Sequence, residues 1–318
     1  MNNKKIVCLG GGIGTVNLLK GLKNYCQNIT TIVSMADDGG STGRLRRLYN
    51  IMPPGDLVSC MAARLDDKTM AKLLTYRFPG DRYGKDNEIV GQKLGNLIMV
   101  GMRDITGNFA DAVLLFQKTF KVPGVFYPAT SDQVSISAKT IEGKEVHREE
   151  NIDLGRYVGK KAIDHVLLHP KNAKTSPGVL NGLKNADVII VGPGDLYTTI
   201  LPSLIIPEIS EEVVKSKKEK VFIVNIANKP TETKGYSVLD YIKAIEKHLG
   251  TFPFTKVIVN TDFSIPIPAR WRKNYTYVPI NDSIVFDNVS FIKENLVSNE
   301  FPLYHDSDKL AKTVLKSI

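Results

Sequence analysis

Two hydrophobic rhythms alternate along the chain, and the switches between them mark its elements. Ile6 to Leu9 is a continuous apolar run, which predicts a strand buried on both faces. Val16, Leu18, Leu19 and Leu22 then recur on one side of a helical pattern. A second apolar run, Ile29 to Met35, predicts the next strand. The same rhythm returns later. Gly178 to Asn185 predicts a short helix, Asp187 to Val191 a buried strand, Val221 to Ile226 a strand, Tyr236 to Leu249 a helix and Lys256 to Asn260 a further strand. Strands alternating with helices predict an α/β fold, a Rossmann-like, doubly wound and mostly parallel sheet with helices on both faces.

The middle of the chain changes character. Residues 66–80 predict a lysine-bearing helix, and residues 81–91 a polar, irregular loop. Gly95-Asn96-Leu97 opens a helix whose pattern continues through Asp111 to Phe120. Val134, Ile136 and Ala138 alternate with polar residues before a Glu142-Gly143-Lys144 turn, the pattern of an antiparallel hairpin. The organisation expected is one α/β domain over residues 1–318. It carries a small β elaboration at about 126–170 and a C-terminal cap at about 262–318 that includes Trp271, Tyr275 and Tyr277.

The polar loops after the strands hold the candidate chemistry. Gly10, Gly11, Gly12 and Gly14 follow the first strand and open a helix. Such a turn lets a ligand approach the backbone, and the helix start offers free N–H groups and a positive dipole end, together a phosphate site. The plainer alternative is that the glycines only make a tight turn. The Walker pattern is absent, and the G-x-G-x-x-G fingerprint fails where its third glycine falls on Thr15. The second strand ends in Asp37-Asp38-Gly39-Gly40-Ser41-Thr42-Gly43-Arg44, a second ligand loop in which Gly39, Gly40, Ser41 and Arg44 are candidates. The acidic pair would hold a ribose, a sugar hydroxyl or a metal. Neighbouring side chains alternate in extended chain, so either Asp37 or Asp38 would be the ligand to a metal such as Mg2+. Asp56, after Pro53-Pro54-Gly55, reads equally as the N-cap of its own helix and as a ligand contact. Asn96 reads as a cap or a cleft residue. Gly192, Gly194, Asp195, Thr198 and Thr199 form a second glycine turn, the expected opposite wall. Asn225 and Lys229 follow another strand and could reach base or phosphate.

Composition narrows the partners. The 318 residues are 42% hydrophobic and 24% charged, an ordinary globular balance. The net charge is +9, but the lysines are spread out, as at Lys215, Lys217, Lys218 and Lys220, with no basic block interleaved with aromatics. That argues against nucleic acid and agrees with a phosphorylated small molecule. Cys8, Cys26 and Cys60 read as buried free thiols of a reducing cytosol. No stretch reaches about 18 apolar residues, and no signal peptide is convincing, so a cytoplasmic protein without membrane insertion is expected. His147, His165, His169, His248 and His305 lack metal-ligand spacing and read as core or surface residues.

Taken in order, Gly10-Gly11-Gly12-x-Gly14, Ala36 through Arg44, Pro53-Pro54-Gly55-Asp56, Gly95-Asn96-Leu97, Gly192-Pro193-Gly194-x-Leu196-Tyr197-Thr198 and Asn225 through Thr233 resemble the YvcK group of gluconeogenesis factors. That group shares a superfamily with the 2-phospho-L-lactate transferases (CofD) of deazaflavin-coenzyme synthesis. The resemblance covers roughly residues 5–250. It implies a cytoplasmic, Rossmann-like protein that binds UDP-sugars such as UDP-N-acetylglucosamine and is linked to cell shape and carbon metabolism. The transferase branch implies an alternative, a Mg2+-dependent transfer from a guanylyl-linked donor, so any enzymatic activity would be transfer of a phosphorus-containing group. A weaker alternative, an NAD-dependent oxidoreductase, is disfavoured by Thr15. A homo-oligomer is compatible with either branch. The chain departs from the pattern at Ile13, Val58, Asp195 and Thr231, where the group commonly has Thr, Arg, Ser and Gly. A carboxylate at 195 would repel a phosphate unless a metal or a lysine intervenes.

Overall fold

Seven parallel strands form the central sheet in the computed structural model, which describes residues 3–157, 162–281 and 284–318. In chain order the first elements are β1 (Ile6–Gly10), helix α1 (Gly12–Leu22), β2 (Ile29–Val33), helix α2 (Gly40–Tyr49) and helix α3 (Gly55–Arg64). There follow β3 (Val125–Pro128), β4 (Ser135–Thr140), β5 (Glu145–His147), β6 (Ile163–His169) and β7 (Val188–Val191). The last strands are β8 (Glu219–Ile223), β9 (Ala227–Asn228), β10 (Lys256–Asn260), β11 (Thr276–Tyr277) and β12 (Ser290–Glu294). The sheet order is β12-β10-β8-β7-β1-β2-β3. Every residue of β1 and β7 is buried, which is why both read as unbroken apolar runs.

Two expected boundaries move. β3 pairs with β2, so residues 126–128 belong to the central sheet. The antiparallel elaboration is the separate sheet β5-β4-β6. The expected cap is not all cap, because β12 pairs in parallel with β10 and extends the main sheet. Residues 158–161 of the elaboration and 282–283 of the cap lie outside the described residues. The long helix expected from Leu97 to Phe120 is two, Leu94–Thr106 and Phe109–Thr119, with Gly107 at φ +81° between them. The helix expected over 66–80 is only Lys68–Thr75, capped by Asp67, whose side chain accepts the Thr69 and Met70 N–H groups. No helix among the described residues is long and apolar enough to cross a membrane. Cys8, Cys26 and Cys60 are free and buried.

The C-terminal helix Ser307–Ser317 closes one face against α1. A Cβ on Gly21 would lie 1.9 Å from the Ser307 carbonyl oxygen and 2.8 Å from Ala311 Cβ. Tyr25 donates to Asp308 at 2.8 Å across the same junction. Gly21→Ala must therefore push the two helices apart. We expect a loss of about 2 kcal/mol or more in chemical denaturation; unchanged stability would show that the junction is looser than this geometry.

Candidate functional site

The cleft opens where the sheet reverses its order. β1 has β2 on one side and β7 on the other, so the loops leaving β1 and β7 face each other at the carboxyl edge. Their glycines set how closely they approach. A Cβ on Gly14 would lie 2.5 Å from the Pro193 carbonyl oxygen, and one on Gly11 would lie 2.6 Å from Asp56 Oδ2. Thr15 joins the same two loops: its Oγ1 accepts the Gly11 N–H at 2.9 Å and donates to Pro193 O at 3.2 Å. A Cβ on Gly10 would meet that hydroxyl at 2.5 Å. Packing thus accounts for Gly10, Gly11, Gly14 and Thr15. Gly12 differs, with φ +65° and nothing within 4 Å of its Cβ position.

The start of α1 already holds a carboxyl group. Gly12 N–H donates to Asp56 Oδ2 at 2.7 Å. Asp56 sits inside the first turn of α3, behind Pro54 at the N-cap. It caps α1 instead of its own helix, a favourable place for a carboxylate. A ligand phosphate at this turn must share it with Asp56. Across the cleft, Gly194 N–H donates to Asn225 Oδ1 at 3.0 Å.

Two chambers, of about 530 and 260 Å3, meet at this waist. Gly12, Ile13, Arg82, Asp153, Asp195 and Thr199 line both. The outer chamber is walled by Trp271, Tyr275, Tyr304 and His305. Trp271 Nε1 and His305 Nε2 are buried there without a hydrogen-bond partner among the described residues. Burial pulls the His305 pKa down to about 3, against the opposing bond with the Val224 backbone, so the ring is neutral near pH 7. The inner chamber is lined by Asp37, Asp56, Glu149, Glu150, Asp153 and Asp195. Burial and then neighbouring Asp56 push Asp37 up to about 7. Burial, and then Asp37, hold Glu149 well above the usual carboxylate range. Behind them Lys93 donates to Gly55 O at 3.1 Å and Ser59 Oγ at 2.6 Å, and burial pulls it down to about 8. A separate cavity of about 410 Å3 lies between β6 and the helix Val238–Leu249, with no residue from these loops.

Among the described residues one acidic cluster has metal-like spacing, formed by Asp153, Asp195 and Glu232, with an oxygen of each within 4.8 Å of the others. A lysine occupies it. Lys229 Nζ pairs with Asp153, with Asp195 at 2.7 Å and with Glu232 at 3.0 Å. Burial alone would lower its pKa, but Asp195, Glu232 and Asp153 outweigh that and hold it well above the ordinary value. Glu232 is fully buried and also accepts the Thr198 hydroxyl at 2.7 Å and the Tyr197 N–H at 2.9 Å. Lysine is therefore the cation that lets Asp195 stand at the waist.

The residues matching the 2-phospho-L-lactate transferase CofD family model run from 6 to 306. The chain belongs to that family. It is 39% identical to the gluconeogenesis factor of Bacillus subtilis over 85% of this chain and 82% of that one. It is 35% identical to the gluconeogenesis factor of Listeria innocua over 98% and 94%. A solved member of the UPF0052 family from Bacillus halodurans superposes with a TM-score of 0.88 at 32% identity, covering 99% of this chain and all of that one.

Within this CofD-family fold several expected ligand residues point elsewhere. Asp38 accepts the Glu150 N–H at 2.9 Å and Arg148 Nε at 3.2 Å and lines neither chamber. Of the acidic pair, Asp37 faces the cleft. Gly40, Ser41 and Arg44 lie under the loop at 77–92: Ser41 accepts from Arg77, and Arg44 is fully buried against loop carbonyls. Asn96 is fully buried, lines neither chamber, and its amide has no partner among the described residues. Gly39, Asp56, Asp195, Thr198 and Thr199 do line the inner chamber; Gly194, Asn225 and Lys229 line the outer one, while Gly192 only turns the chain at φ +81°. Sequence reasoning missed Arg82, Glu149, Asp153 and His305. Arg82 and His305 come from loops with no spacing that joins them to the rest; Glu149 and Asp153 share one short acidic helix with Glu150, which was the readable signal.

Two outcomes follow. Lys229→Met leaves three crowded carboxylates without their cation and should cost about 3–5 kcal/mol in denaturant unfolding; a loss under about 1 kcal/mol would mean that the cage is not held by charge. For Asp37 the folded pKa lies above the unfolded value of about 3.9, so between the two the native state binds more protons. Stability then falls as pH rises from about 4 through about 7. Asp37→Asn should flatten that fall and be relatively more stable at pH 8; parallel pH profiles for the two proteins would refute the shift.

Proposed function

We propose that the cleft binds a nucleotide sugar, a UDP-sugar such as UDP-N-acetylglucosamine, in the cytoplasm, in a regulatory role tied to carbon metabolism and cell shape. The observation that carries this reading is the two-chamber cleft. The outer chamber offers aromatic faces for a base and two buried ring nitrogens without partners. Trp271 Nε1–H can donate, and neutral His305, with its other nitrogen on the Val224 carbonyl, can accept at Nε2. A uracil edge carries both an acceptor and a donor. The glycine waist suits the diphosphate. The inner chamber is rich in carboxylates, which accept from sugar hydroxyls and repel a terminal phosphate.

One feature favours the transferase reading. Asp37, Asp56 and Glu149 are acids with raised pKa values facing one chamber. Once deprotonated they would attract a divalent cation, which would supply charge neutralisation to a phosphorus-containing donor. Asp37 and Asp56 would hold it, with Glu149 accepting the proton displaced or the cation's hydration.

Thermal shift separates the two readings through mass action. UDP-N-acetylglucosamine and UDP-glucose should stabilise the protein without Mg2+, and Trp271→Phe, which keeps an aromatic face but removes the indole N–H, should reduce that shift. A response confined to GDP or GTP with Mg2+ would replace this reading by the transferase one. No response to any UDP-sugar would end it.

A further inference from the structure

Helix α2 carries a structure that its glycine-rich start does not announce. Residues 77–93 form a loop whose neck is closed by the Arg77–Lys93 bridge and by Phe78 N–H to Gln92 O and Gly91 N–H to Phe78 O, both at 2.9 Å. One face of α2 holds this loop at three-residue intervals. Ser41 accepts from Arg77 at 2.9 Å. Arg44 donates from Nη1 to Val90 O at 2.7 Å and Asp81 O at 3.4 Å, and from Nη2 to Glu88 O. Arg47 grips Asp86 with two bonds, at 2.7 and 3.0 Å. A fully buried arginine is costly to desolvate; Arg44 turns its Nη donors to loop carbonyls while its Nε has no partner among the described residues, so its effect is to fix one loop conformation.

That conformation places Arg82 at the waist. Its guanidinium lies against Gly40, where a Cβ would be 2.4 Å from Nε, and its Cζ is 5.1 Å from the Tyr83 ring centre. Among the described residues two cationic side chains line the cleft, Arg82 and Lys229. Lys229 is saturated by three carboxylates. Arg82 is exposed, lines both chambers, and has no hydrogen bond or ion pair among the described residues.

We propose that Arg82 is the residue that takes the ligand's phosphate at the waist between the chambers, and that Arg44 is its positioning residue. The proposal deepens the nucleotide-sugar reading and rests on it for the identity of the ligand, but not for the phosphate. A guanidinium fork matches phosphate oxygens two at a time. It also supplies the positive charge that the waist otherwise lacks, since Asp56 holds the α1 N-terminus and Asp153 and Asp195 hold Lys229.

The test is calorimetric titration of wild type, Arg82→Ala and Arg82→Lys with UDP-N-acetylglucosamine, UDP, uridine and inorganic pyrophosphate. Arg82→Ala should weaken the three diphosphate-bearing probes about 10- to 100-fold and leave uridine and the melting temperature unchanged. Arg82→Lys should recover only part of the loss. Arg44→Lys should weaken UDP in the wild-type background and add nothing in the Arg82→Ala background. Equal affinities of wild type and Arg82→Ala for UDP and pyrophosphate would overturn the proposal, as would an equal loss on uridine, or wild type binding no phosphorylated probe. If pyrophosphate binds through Arg82 and UDP-sugars do not bind, the nucleotide-sugar reading fails while the role of Arg82 stands.

Discussion

Gly14 has no room for a side chain, and the geometry of the cleft depends on it. Its Cα packs against the Pro193 carbonyl, so the turn after β1 and the turn after β7 touch at the point where strand order reverses. Thr15 fastens the contact, and Asp56 ties the same β1 turn to α3. Once these loops are locked, everything that follows β1, β2, β7 and β8 is delivered to one edge of the sheet. The glycine cluster is an assembly joint first. Only Gly12 leaves open space before it.

The second organising force is charge. The chain is basic overall, with a net charge of +9, yet the inner chamber is acidic. Repulsion among carboxylates at short range in a poorly screened site is large, and the molecule manages it in two ways. Lys229 neutralises one group of three, while Asp37, Asp56 and Glu149 shift toward holding protons. Fixed lysine charge in one place and titratable acids in the other give the two sides of the waist different responses to pH and to cations.

Much of the fold was legible because buried parallel strands leave continuous apolar runs. β1, β2, β7 and β10 lie within a few residues of where the hydrophobic pattern puts them. β12 was not legible: none of its residues is buried, and at a sheet edge only Phe291 and Ile292 are half-covered, so no apolar run marks it. The site was legible as a set of loops and less so as a set of side chains. Asp37 and Asp38 look equivalent in sequence, but alternation in extended chain sends one into the cleft and the other to Arg148. Asp56 resembles an ordinary helix cap and is one, though for a helix 44 residues earlier in the chain. Asp195 and Lys229 looked like unrelated candidates, and tertiary structure makes them an ion pair. Arg44 and Arg82 show the limit most clearly. Which arginine is buried and which is displayed depends on a loop closure that no local pattern encodes.

The loop seated on α2 has one more implication. Arg44 holds it by backbone carbonyls, and its side-chain anchors on α2 are Arg77 and Asp86, not the residues at its displayed tip. Residues at positions 82 and 83 can then change while the platform stays intact. A fold built this way separates its scaffold from its vocabulary: relatives can share the joint at Gly14 and the seat at Arg44 and still present different groups to whatever enters the cleft. Motifs in the first 44 residues thus identify the architecture, and the displayed tip of the loop is where members of such a family can diverge in what they recognise.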